Sequence, residues 1–149
     1  MTSLIRTIGI AGGILMLAGV QNAGAQITEN GVKFTTSFPF TVGNTTVPAG
    51  SYTIRPDDDD PGIFELSGAH TSVLFNTENV QARKTPSKSE VVFQRYGDGY
   101  VLKDIWVEGS DTGAETTAAE GERHVAKNHG SATEHRVAGQ KTTSALTKR

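Results

Sequence analysis

Four consecutive carboxylates, Asp57-Asp58-Asp59-Asp60, are the densest cluster of chemistry-bearing side chains in the sequence. Oxygen ligands in a row invite a calcium reading, but the spacing opposes it. Pro61 stands where a third ligand of an EF-hand loop belongs, and no Glu follows at the required distance. Adjacent aspartates also point to opposite sides of an extended chain, so the run reads as a solvated loop that blocks edge pairing. A second set, Asp98 with Asp104 or Glu108, offers pairs for carboxylate-dependent hydrolysis, which requires two carboxyls at a set separation across the scissile bond. A turn accounts for Asp98, and a cross-strand ion pair with Arg95 accounts for Asp104. His124, His129 and His135 are spaced by five and six residues. That spacing does not stack them on one helix face, and no Cys or Asp completes a Zn or Ni set. His70 falls in a turn. Arg83, Lys84 and Lys88 lie in a polar stretch and read as a solvated basic cluster, with contact to an anionic ligand as the alternative. No catalytic, cofactor-binding or metal-ligating residue is therefore assigned, and no cofactor is expected.

The stretch that must position any of these groups is Val91 to Val107, VVFQRYGDGYVLKDIWV, which holds the single Trp and two of the three Tyr. Two β-rich runs flank Gly97-Asp98-Gly99, a strong hairpin signal. With Asp98-Gly99 as a two-residue turn, Arg95 opposes Leu102 and lies diagonal to Asp104. One face then carries Val91, Phe93, Arg95, Leu102, Asp104 and Trp106. A three-residue loop Gly97-Asp98-Gly99 instead sets Arg95 diagonal to Lys103. Cross-strand pairs are worth roughly 0.2–1 kcal/mol, so attraction favours the first register.

Before this hairpin the chain has two textures. Residues 1–25 carry Arg6, an uncharged apolar run from Ile8 to Val20 and the small residues Ala23-Gly24-Ala25, the pattern of a secretory signal peptide with cleavage before Gln26. The apolar run is too short for a membrane span. With no cysteine in the chain, disulfides, thiolate metal sites and Cys nucleophiles are excluded, and an exported domain must rest on its core or on oligomerisation. A formal net charge of −2 implies neither nucleic acid nor an anionic membrane surface as partner.

Val32 to Val42 gives the cleanest strand pattern. Val32, Phe34, Phe38, Phe40 and Val42 share one parity, and Pro39 imposes an unpaired side or a bend. Gly43 to Thr46 and Pro48-Ala49-Gly50 are turns; Asn44-Thr45-Thr46 also matches a glycosylation sequon, for which the turn reading is kept. Short strands follow at Ser51–Arg55, with Tyr52 and Ile54 on one face, and at Ile63–Ser67 and Ser72–Thr77. Glu78 to Ser89 reads as a loop. All ten aromatics fall between Phe34 and Trp106, which sets the expected β-domain at 26–109. Residues 110–149 read as a mostly disordered polar tail with a short helix near Glu115 to Ala126.

Phe38-Pro39-Phe40-Thr41-Val42-Gly43, Val47-Pro48-Ala49-Gly50-Ser51-Tyr52, Val92 to Tyr100 and Ile105-Trp106 together resemble a group of small exported β-domain proteins frequent in acidobacterial genomes. The resemblance covers about residues 30–110 and supplies no catalytic residues. It implies a bacterial, exported, single β-domain. The expected fold is all-β, a small antiparallel meander forming a sandwich or a partly open barrel. The expected role is a non-enzymatic envelope or extracellular interaction module, periplasmic or secreted. Its partner would be a protein or envelope component, without nucleic acid and without integral membrane insertion after signal cleavage. One alternative is a small apolar-ligand carrier lined by Phe34, Phe38, Phe40, Phe64, Phe75 and Trp106. The other is a hydrolase using Asp104 with Asp98 or Glu108.

Overall fold

A computed structural model describes residues 29–117 and 120–144. Apolar–polar alternation produces the first strands. In β1 (Glu29–Thr36), Val32 and Phe34 are buried while Lys33 and Thr35 are exposed. The alternation predicted one strand through Val42. The chain instead breaks at Ser37-Phe38-Pro39, and β2 (Phe40–Val42) starts after the proline, which has no N–H for the ladder. Gly43, at φ 59°, turns β2 into β3 (Thr45–Val47). β4 (Gly50–Pro56) points Tyr52 and Ile54 inward as predicted, and β5 (Ile63–Ser67) and β6 (Ser72–Gln81) continue the meander. β6 runs four residues into the expected loop because Thr77 to Gln81 pair with β9 (Thr112–Thr116).

β7 (Glu90–Tyr96) and β8 (Gly99–Trp106) form the expected hairpin in a register that differs from both alternatives. Tyr96 pairs with Gly99 and Arg95 with Tyr100, so the two-residue turn is Gly97-Asp98. Gly97 has φ 59°, and a turn with glycine at its first central position matches the twist of the flanking strands. Four residues further in, Phe93 pairs with Leu102 but Val92 pairs with Asp104, leaving Lys103 as a bulge. The bulge reverses the inside–outside alternation of β8. Leu102 and Ile105 both enter the core, and Asp104 and Trp106 share the outward face with Val92 and Glu90, their ladder partners.

The pairings β1-β4-β5-β6-β9-β8-β7-β10 close into a ring of eight antiparallel strands, with β10 (Thr133–Ser144) seated between β7 and β1. The all-β antiparallel expectation holds, and the sheet is a closed barrel. The β2–β3 hairpin attaches to β8 through the parallel bridge Thr41–Val101 and contributes Phe40, Val42 and Val47 to the core. Phe34, Phe40, Tyr52 and Phe93 meet at ring-centroid distances of 5.1–6.2 Å. The Tyr52 hydroxyl donates to the Pro48 carbonyl at 2.7 Å. An eight-stranded barrel has an interior just wide enough for side chains to fill.

Beyond the expected boundary at 109/110, in the stretch read as a mostly disordered tail, described residues form β9, the helix α1 (Glu120–His129) and β10. Residues 1–25, and with them the signal-peptide expectation, fall outside the described residues, as do 145–149 and Leu146. The reason for the difference is that β10 is held by backbone ladders on both sides rather than by apolar mass. Among the described side chains of β10, Val137 is the one aliphatic group packed against the core, with His135 meeting the Phe38 and Tyr100 rings. Gly139 faces Phe34, and a Cβ there would stand 2.3 Å from Val32 Cγ1 and 3.4 Å from the Lys33 carbonyl.

Replacing Gly139 with Val is therefore expected to cost about 1–3 kcal/mol through overpacking, read by urea unfolding. Ala138→Val on the exposed face should stay within about 0.5 kcal/mol. Equal and negligible effects at both positions would mean that β10 does not close the barrel.

Candidate binding groove on the barrel exterior

The bulge at Lys103 places Asp104 and Trp106 outside the barrel, and the chain then builds a wall over them. Residues 82–89 connect β6 to β7 and are tied down at both ends. Ala82 N and Gln81 Nε2 both donate to the Asp111 carbonyl, at 2.8 and 3.0 Å. Gly109 N donates to the Pro86 carbonyl at 3.0 Å. Ser89 is buried; its Oγ accepts from Glu108 N at 3.0 Å, and its carbonyl accepts from Gly139 N at 2.9 Å. This pinned loop forms one side of a groove of about 420 Å³, contributing Ala82, Arg83, Lys84 and Pro86. The barrel contributes Glu90 from β7, Asp104 and Trp106 from β8, and Glu134 and Arg136 from β10. Trp106 lies across β9 because position 113 is glycine: a Cβ there would come within 2.5 Å of the indole.

The charges of the groove are arranged by the ladders. Arg136 opposes Val92, next to Asp104 in the sheet. Its guanidinium bridges two carboxylates, donating through Nη1 to Glu90 Oε1 and through Nη2 to Glu134 Oε2, the latter at 3.3 Å. Val92 beneath is fully buried, so the charged side chains close over it. Asp104 is 8% exposed. It opens into the groove, and among the described residues it has no hydrogen bond and no ion pair. Burial pushes its carboxyl up to about 6, with Glu115 and Glu134 pushing the same way against Lys103 and Arg136. Glu115 stands directly opposite Asp104 on β9.

Asp104 is thus not the partner of Arg95. Arg95 Nε donates to the Gly97 carbonyl at 2.8 Å, and its guanidinium lies 5.6 Å from the Tyr100 ring centroid. Asp98 sits in the hairpin turn, six positions from Asp104 and roughly 20 Å away at strand spacing. Glu108 is exposed beyond the end of β8. The proposed carboxylate pairs are not brought together. The four aspartates serve the β4–β5 connection: Asp57 Oδ1 accepts from Asp59 N and Asp60 N, at 3.0 and 3.2 Å, and Asp60 Oδ1 accepts from Gly62 N at 2.9 Å. His124 is exposed on α1, and His135 meets Phe38 and Tyr100 edge-on. The side chain of His129 lies outside the described part. Among the described residues no three His, Asp or Glu converge as a metal-ligand group.

Of the six aromatics proposed to line an interior ligand site, Phe34, Phe40 and Phe75 lie in the core and Phe38 and Phe64 pack against it, while Trp106 lies outside. Arg83 and Lys84 line the groove, so the basic cluster does meet a concave surface; Lys88 borders a neighbouring depression with Lys84 and Glu90. Arg136 and Glu134 were missed because they belong to a segment read as tail. Compared with known proteins, the chain matches no family model, no curated protein and no solved structure.

A carboxyl whose folded-state pKa is raised binds its proton more tightly when folded, so its stability deficit is absent below about pH 4 and complete above about pH 6. Asp104→Asn removes that deficit. Urea unfolding at pH 8 should show the variant more stable by about 1–2 kcal/mol, solvent screening reducing the full effect, with the two proteins converging at pH 4.

Proposed function

We propose that the chain is an exported, non-enzymatic binding module whose working surface is the outer groove. The carrying observation is the loop 82–89, fixed at both ends, walling off an aromatic and charged surface on a closed barrel. A groove of about 420 Å³ lies in the size range of small-ligand sites, where a few convergent polar groups supply specificity. Trp106 supplies a flat apolar wall, and both signs of charge line the opening. The resemblance to small exported β-domain proteins and the leader pattern of residues 1–25 support a periplasmic or secreted setting, with a protein or envelope component as the source of the ligand.

A second reading has one observation behind it. A carboxyl whose pKa is raised toward 6 can act as an acid at mildly acidic pH, and Asp104, with Glu115 opposite, meets that condition. This favours a carboxylate-dependent hydrolase as the alternative. Hydrolysis of any member of a glycan panel, lost in Asp104→Asn, would replace the binding reading.

Amide chemical-shift mapping tests the groove. A panel of amines, short peptides, oligosaccharides and fatty acids is titrated into labelled protein. Saturable shifts confined to 81–90, 103–106 and 134–136 are expected for at least one class. Shifts centred on Phe34, Phe40 and Phe93 would put the apolar-ligand carrier ahead, and no shift in the groove with any class would remove the proposal.

A further inference from the structure

We propose that Asp104 anchors an alkylammonium group, the charged end of a lysine side chain or of a small diamine, seated in the outer groove with its methylenes against Trp106. The inference rests on the groove being the working surface and names what it takes.

Two observations carry it. The first is that Asp104 has no direct partner, although the groove lining carries as many cations (Arg83, Lys84, Arg136) as carboxylates (Glu90, Asp104, Glu134). Arg136 is committed to Glu90 and Glu134. Asp104, more than nine-tenths buried and facing the groove, has neither a hydrogen bond nor an ion pair among the described residues. Burial makes ionised Asp104 costly, and neither Lys103 nor Arg136, the two cations that act on it, forms an ion pair with it, so a cation arriving from solvent offsets part of that cost. The second is the position of Trp106, two residues along the same strand and on the same outward face. An indole attracts a cation through its ring and covers a methylene stem with apolar surface.

The competing occupant is a divalent metal, which takes six or more oxygen ligands when it is calcium. No convergent set of three acidic or imidazole side chains exists among the described residues. An ammonium needs one carboxylate and a wall, and the groove offers both.

The groups facing Asp104 are Glu115 from β9, Glu134 and Arg136 from β10, and Lys103 from its own strand. Glu90 from β7 and Arg83 and Lys84 from the loop line the same groove. With burial and the two glutamates holding its proton up to about pH 6, Asp104 accepts the ammonium only once ionised, so affinity rises as pH passes from about 5 to about 7.

The test follows the Asp104 carboxyl carbon and the Trp106 indole N–H by NMR. The probes are n-butylamine, putrescine and N-acetyl-lysine methylamide, with 1-butanol as the uncharged counterpart. The amines should shift both signals saturably at pH 7.5 and move the Asp104 titration midpoint down from about 6. Binding should weaken about tenfold at pH 5 and be lost in Asp104→Asn, whose unfolding curve confirms that it is folded. Tighter binding of putrescine identifies a free diamine as the source, and tighter binding of the lysine derivative a peptide. Equal response to 1-butanol, an unmoved Asp104 midpoint at saturating amine, or undiminished binding by Asp104→Asn overturns the inference. If other ligands shift groove signals and amines do not, the groove stands and the ammonium falls. If nothing shifts them, both fall.

Discussion

The closure of the sheet by β10 is the constraint on which the rest depends. Before it is seated, β1 and β7 each present a row of unpaired N–H and C=O groups. A twelve-residue strand satisfies both rows at once, through Glu29–Phe34 on one side and Glu90–Arg95 on the other. Edge strands are liabilities, and full closure of a barrel removes them. The ring also encloses the aromatic cluster of Phe34, Phe40, Tyr52 and Phe93. What holds β10 is therefore a two-sided ladder and a fit so close that position 139 admits no side chain against Val32.

The same strand carries chemistry outward. Glu134 and Arg136 sit on the outer face of β10, and Arg136 reaches Glu90 on β7. The groove is assembled across a seam that exists only in the closed ring. The bulge at Lys103 is its counterpart on β8. It lies where β8 passes from its bridge with β2 at Val101 to its pairing with β9 at Asp104. Were Lys103 paired in regular alternation instead of bulged, Asp104 would fall opposite Val91 and point into the core, where an unpaired carboxylate is hardest to tolerate.

Much of the barrel was legible from the residues. The period-2 burial of Val32 and Phe34 and of Tyr52 and Ile54, the turn at Gly43 and the existence of the hairpin around Gly97-Asp98-Gly99, though not its register, follow from hydropathy and glycine geometry. β10 was illegible because hydropathy reports buried apolar mass, whereas this strand contributes backbone pairs and an absence of bulk. Its sequence, TEHRVAGQKTTS, has one large aliphatic residue. The site was half legible. Asp104 stood out as a carboxylate inside the most β-rich stretch, but its partner was assigned from strict alternation. A single-residue bulge has no composition signature and inverts that assignment. Trp106 followed the same inversion, from interior to exterior.

The ladder between β1 and β10 joins the first described strand to the last, from Glu29 with Ser144 to Phe34 with Gly139. Such long-range pairing makes for slow folding. A chain synthesised N-terminus first therefore cannot complete this barrel until β10 has emerged. Until then the pairing edges of β1 and β7 stay open. Closure, and with it the appearance of the groove, waits for Thr133–Ser144 to pair with both edges.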